Sequence, residues 1–284
     1  MNEYSVELLT ADDGFVSSEI YSIIQDRQGF LWFGTAENGV MRYDGRKVTL
    51  FESDSEHGQG LSHNDAGNLM LDAEGNIWVG TNGKGLFKFA NKQFKYLTRQ
   101  KNLPADLIIS IGEDKNGGIW LGSLGEGVSC ITPSGIKSYN AKQTNFPNNI
   151  CWAIHQDLNK KMWFGTSEGL AYFSGNKFIT YTEKDGLPDN KVQSIFQEVP
   201  EVMWVGTRNG VAYYKNGMFN PIMNYEYQNT RSIVSTQDGV YWFGTSDGLV
   251  KYDGFESKLI EDSLLKGITI YCMVSIGNNL WIGT

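Results

Sequence analysis

A tryptophan followed two positions later by glycine recurs along the whole chain. Trp32, Trp78, Trp120, Trp163, Trp204, Trp242 and Trp281 are separated by 46, 42, 43, 41, 38 and 39 residues, and Gly34, Gly80, Gly122, Gly165, Gly206, Gly244 and Gly283 follow them, each succeeded by threonine or serine. Nine residues before each tryptophan stands Ile23, Leu69, Ile111, Ile154, Ile195, Ile233 or Cys272. Periods near forty residues belong to propellers and other repeat arrays.

Each unit divides into four strand candidates. "IYSIIQD" has β-branched and apolar residues on both faces, as a strand buried on both sides requires. A turn such as "DRQG" or "DAEG" leads to the tryptophan strand. A short loop ending in glycine precedes a third strand such as "LAYF", and "KFITY" is of the fourth type. Sheets apolar on both faces must stack, and radial stacking closes them into a propeller.

The fold expected is all-β. It is a seven-bladed β-propeller of four-stranded antiparallel blades forming one domain over residues 1–284. Recurrent tryptophans fill the wedges between blades. Glycines two residues on imply close backbone approach, and Ser22, Asn68, Ser110, Ala153, Ser194 and Ser232 fit the crowded end where blades converge. The seventh unit stops at "LWIGT", inside its second strand, while "VELLTADDGF" (6–15) aligns with "FITYTEKDGL" (178–187). The last blade is therefore expected to be incomplete and closed by an N-terminal strand, and the chain to be a fragment of a longer parent. Unit six departs most from the pattern, together with unit seven, and is expected to be irregular.

Composition narrows the function. A net charge of −8 leaves no basic face for nucleic acid or an anionic membrane, and neutral or cationic ligands are easier to accommodate. No apolar run is long enough to span a bilayer, so no membrane insertion by this region is expected. Three cysteines, Cys130, Cys151 and Cys272, read as buried thiols, and His57, His63 and His155 show no ligand spacing, so no metal and no cofactor are expected.

The phrase "IYSIIQDRQGFLWFGTAENGVMRY", echoed in "SIFQEVPEVMWVGTRNGVAYY", resembles the two-component regulator propeller repeat. The resemblance implies a periplasmic sensing module of a bacterial hybrid histidine kinase, with a parent anchored in the inner membrane and a possible homodimer formed through that parent. It supplies no matched ligand residues.

Three function classes follow: a non-catalytic sensor of a carbohydrate or other small ligand, a propeller enzyme acting on glycans, and a protein-binding scaffold. A propeller hosts all three. The D-x-x-G-x-x-W turns are one residue longer than sialidase Asp boxes. Asp26, Asp72, Asp114 and Asp157 read as turn formers, and the six arginines occupy repeat positions that do not converge. No catalytic residues are assigned. The loops from fourth to first strand and from second to third strand share one face and carry the longer connections. The ligand is expected there, over the central channel, with His63, Asn64, Asn82, Lys84, Asn148, Trp152, Arg208, Asn209, Tyr227 and Asp247 as candidate contacts. Trp152 is the one tryptophan outside the repeat frame.

Overall fold

The computed structural model describes residues 4–16, 19–52, 61, 64–91, 93–98, 103–175 and 177–284. It is an all-β propeller: six four-stranded antiparallel sheets and a seventh sheet of two strands. Within every sheet the strands lie in sequence order, from an inner to an outer strand. Blade four is representative, with strands Cys151–Gln156, Met162–Thr166, Gly169–Ser174 and Lys177–Tyr181. Inner strands of the others are Ile20–Gln25, Asn68–Leu71, Ile108–Glu113, Val192–Val199, Ser232–Ser235 and Cys272–Ile276. Blade six, expected to be irregular, is a regular four-stranded sheet, since Ile233 and Val234 still pair with Phe243 and Trp242.

Each repeat tryptophan packs on the following blade. Trp32 is buried with Ala66, Ile77, Val79 and Phe87, and Trp163 with Val192, Met203, Val205 and Ala212. Trp281 continues the pattern onto blade one, 6.2 Å from the Phe33 ring and 6.1 Å from Tyr43. Burying a ring of this size removes about 150–250 Å² from water at each wedge.

The Asp turns do more than reverse the chain. Asp157 Oδ1 accepts from the Lys161 N–H at 2.8 Å, and its Oδ2 accepts from Trp163 Nε1 at 2.8 Å. The same indole bond joins Trp32 to Asp26, Trp78 to Asp72 and Trp120 to Asp114, each at 2.8 Å. In blade six Thr236 Oγ1 accepts instead, at 3.1 Å. In blade five the turn tightens to Pro200 and Glu201 between Val199 and Val202, and Trp204 Nε1 is buried without a partner.

The Trp-x-Gly-Thr phrase has a double cause. A Cβ on Gly206 would lie 2.2 Å from Ser194 Oγ and 2.6 Å from Thr230 O, so only glycine fits. That serine is there to donate to the next blade: Ser194 Oγ bonds Thr230 O at 2.9 Å, Ser110 Oγ bonds Cys151 O at 2.8 Å, and Ser22 Oγ bonds Gly67 O at 2.7 Å. The following hydroxyl closes the loop, as in Thr207 Oγ1 to Gly210 O at 2.8 Å.

Two expectations at the ends of the chain need correction. Cys272 is no equivalent of Ile23, because the seventh hairpin is shorter and Cys272 pairs with Gly283 as Ser22 pairs with Gly34. Met273 takes the apolar position. Residues 6–10 form no strand: the fourth strand Lys177–Tyr181 lies against a third strand, whereas the two-stranded seventh sheet offers none. The alignment holds just beyond. Thr10 and Thr182 each open a 3-10 turn with a capping box, to Asp13 and Asp185, and Gly14 and Gly186 end it in the left-handed region. The N-terminal segment crosses from blade six, where Tyr4 meets Trp242 edge-on at 5.1 Å, to blade one, where Phe15 meets Phe33 at 5.1 Å.

Candidate functional site

The inner strands carry a repeated irregularity near their N-terminal ends. In blades one, three, four and five the register slips by one residue, leaving Tyr21, Ile109, Trp152 and Gln193 unpaired. A bulge of this kind re-aims a side chain. Arg231 and Tyr271 hold the equivalent places, with their N–H groups on Gly244 O and Gly283 O, both at 2.9 Å. Blade two has Gly67 there, and a Cβ on it would strike the Tyr21 ring at 2.8 Å.

Ile109, Trp152, Gln193 and Arg231 line a central cavity of about 250 Å³, with Ser22, Asn68, Ser110, Ser194 and Ser232 among the other lining residues. Two buried polar atoms in this lining, Gln193 Oε1 and Arg231 Nε, have no hydrogen-bond partner. Beside them the Lys191 ammonium sits 4.6 Å above the Trp152 ring, and the Arg231 guanidinium lies 5.5 Å over Tyr271. Trp152 Nε1 donates to Ser167 Oγ at 2.9 Å. Tyr271 meets Tyr21 edge-on at 4.8 Å, and the Tyr21 hydroxyl donates to Glu19 at 2.8 Å. Burial and then the Glu19 hydrogen bond push the Tyr21 hydroxyl up to about 12, so it remains a donor.

Asp189 anchors the rim. It is buried, accepts from the Lys191 N–H at 2.7 Å and from Asn209 Nδ2 at 2.6 Å, and pairs with Arg208 at 3.3 Å. Burial, then Arg231, then Arg208 hold the Lys191 ammonium below the usual lysine range, with Asp189 opposing.

The two loop sets do share a face. The Arg208 N–H donates to Lys191 O at 2.9 Å and the Asn229 N–H to Arg208 O at 2.7 Å, joining the second-to-third-strand loop of blade five to both neighbouring fourth-to-first-strand loops. Of the residues picked from sequence, Trp152, Arg208 and Asn209 gather around Lys191 and Asp189. Asn148 caps the Ile150 N–H at 2.8 Å, Asp247 accepts from the Gln228 N–H at 3.0 Å, and the Tyr227 hydroxyl accepts from the Leu259 N–H at 3.2 Å. Asn64, Asn82 and Lys84 lie in the loops of blades one to three: Asn64 O accepts from the Gly39 N–H, the Asn82 N–H donates to Asp65 O, and the Lys84 N–H to Thr81 Oγ1. His63 lies outside the described residues.

Two of the six arginines lie at this site: the Arg208 N–H donates to Lys191 O at 2.9 Å, and Arg231 lines the cavity with Trp152 beneath Lys191. Stacking of the consecutive blades five and six brings these residues together, which positions within a repeat cannot show. Sequence reasoning missed Tyr21, Lys191, Gln193, Arg231 and Tyr271. For all but Lys191 the signal available was the residue immediately before each small inner-strand residue.

Reactive side chains lie elsewhere. Burial raises the thiol of Cys130 to about 11, that of Cys151 to about 12, and that of Cys272 further. Burial lowers the pKa of His155, against the charge of Asp157. Among the described residues no three His, Cys, Asp or Glu side chains group closely enough to hold a metal ion, and no helix is long and apolar enough to cross a membrane.

Comparison with known families decides the class. The model described as "Two component regulator propeller" matches residues 14–37, 60–83 and 102–125. These three stretches of the chain match the two-component regulator propeller repeat. The chain is 26% identical over 184 residues to histidine kinase P4 of Formosa agariphila, which is 61% of this chain and 13% of that protein. It superposes on the extracellular domain of a putative hybrid two component system from B. thetaiotaomicron with a TM-score of 0.82 and 21% identity, over 98% of this chain and 40% of that one. Virginiamycin B lyase from Staphylococcus aureus shares the fold, with a TM-score of 0.72 and 16% identity over 94% of this chain and 92% of that one. The chain thus spans well under half the length of these two relatives, 13% of one and 40% of the other.

Proposed function

We propose that the chain is a seven-bladed, non-catalytic sensor propeller of a hybrid histidine kinase-type protein, and that it takes a carbohydrate or other small ligand at the mouth of its central channel, on the periplasmic side of the membrane. The seven-bladed reading draws support from the Ile20 N–H, which donates to Thr284 O at 3.0 Å, beside the Trp281 wedge. The observation that carries the binding role is the set of bulges. They turn side chains from successive blades toward one cavity, and they leave Gln193 and Arg231 with unpaired polar atoms in it. Buried polar groups without partners are costly in a purely structural channel and useful in one that takes a ligand. The non-catalytic reading draws support from the burial of all three thiols and of His155 Nε2 away from the cavity lining.

Calorimetric titration with oligosaccharide pools tests this. Trp152→Ala is expected to remove binding while moving the melting temperature little, whereas Trp163→Ala costs about 3–5 kcal/mol of stability. Full affinity in Trp152→Ala contradicts the placement.

A further inference from the structure

The whole chain is acidic, yet two cations at the channel mouth, Lys191 and Arg231, make no ion pair among the described residues. Lys191 stands over the Trp152 ring, which lines one cavity with Gln193 and Arg231, and the Arg208 N–H donates to Lys191 O at 2.9 Å. The acids at the rim are already engaged. Asp189 is taken by Arg208, Asn209 and the Lys191 backbone, and Glu19 accepts the Tyr21 hydroxyl. Among the described residues neither the Lys191 ammonium nor the Arg231 side chain makes a hydrogen bond or ion pair; each rests only on an aromatic face.

Such an arrangement is expensive without a counter-charge. Two like charges in a partly dry site repel, and a buried guanidinium nitrogen without an acceptor forfeits its hydration. Gln193 Oε1, an unpaired acceptor in the same lining, offers a place for a hydroxyl. The Trp152 ring supplies an apolar face at the rim.

Resting on the sensor reading above, we infer that the site is built for a hydroxylated organic anion, a carboxylate or sulfate ester, with its anionic group between Lys191 and Arg231, a hydroxyl on Gln193 and its apolar face against Trp152. Arg231 is the group most able to take the anion bidentately.

The test follows the Trp152 indole N–H resonance, assigned through Trp152→Phe, as the chain is titrated with inorganic sulfate, with glucuronate and with glucose. Sulfate and glucuronate are expected to shift this resonance, glucuronate the more tightly, and glucose to bind at least about tenfold more weakly than glucuronate. Lys191→Gln and Arg231→Gln should each weaken glucuronate at least about tenfold, and Lys177→Gln, on an outer strand, should leave it unchanged. Lowered salt should tighten the anions only. Absence of any shift with sulfate and glucuronate up to about 100 mM overturns the inference. So does equal affinity for glucuronate and glucose; in that case the mouth is still a ligand site and only the anionic class fails.

Discussion

The Cys272 thiol donates to the carbonyl oxygen of Ile20, 3.4 Å away, joining the seventh sheet to the first blade. At the matching junctions Ser22, Ser110 and Ser194 place a hydroxyl on the next blade's carbonyl at 2.7, 2.8 and 2.9 Å. A thiol is a weaker donor than a hydroxyl. Cys272→Ser is therefore expected to fold with stability equal to or above the parent chain, and Cys272→Val to lose about 1 kcal/mol. Urea unfolding midpoints check both. Equal stability for serine and valine contradicts a bonding role for this position.

The bond from Trp163 to Asp157 predicts a second contrast. Asp157→Ala leaves the indole N–H buried and unpaired and should cost about 1–3 kcal/mol. Trp204 already lacks an acceptor, so Trp204→Phe should cost less than Trp163→Phe. The comparison is one of denaturation midpoints, and the opposite ranking contradicts the account.

His155 predicts a pH dependence. It occupies the place of Ile24 and Phe196 opposite the repeat tryptophan, and burial depresses its pKa below the ordinary histidine value. The unfolded chain takes up a proton at a pH where the folded chain does not, so stability falls as pH drops below the unfolded value, through the depressed folded one. Between about pH 7 and pH 5 the melting temperature of the parent chain should fall more than that of His155→Ile. Parallel curves for the two proteins would show that His155 titrates normally in the fold.

The blades were legible because their signals are local. Trp163, Gly165 and Ile154 belong to one hairpin, and the offsets between them follow from strand pairing alone. The mouth was only partly legible. Trp152 stands out as a residue type, but Lys191 and Arg231 lie forty positions apart in the chain and are brought to one cavity only by the stacking of consecutive blades. Of the other candidate contacts, Asn148 accepts from the Ile150 N–H within its own turn and Asp247 from the Gln228 N–H of the neighbouring loop, a bond between loops that sequence spacing does not reveal. Cys272 was misplaced because its hairpin turns two residues after Ile276, a shortening that an offset counted from Trp281 absorbs silently.

The central claim is that the channel mouth binds a ligand without changing it. Incubating the chain with the oligosaccharide that calorimetry selects, and then recovering that ligand for mass spectrometry, tests it most directly. The account predicts saturable binding that depends on Trp152 and Arg231 and a ligand recovered at its original mass. A cleaved or eliminated product that accumulates with time, and disappears in Arg231→Gln, would contradict it.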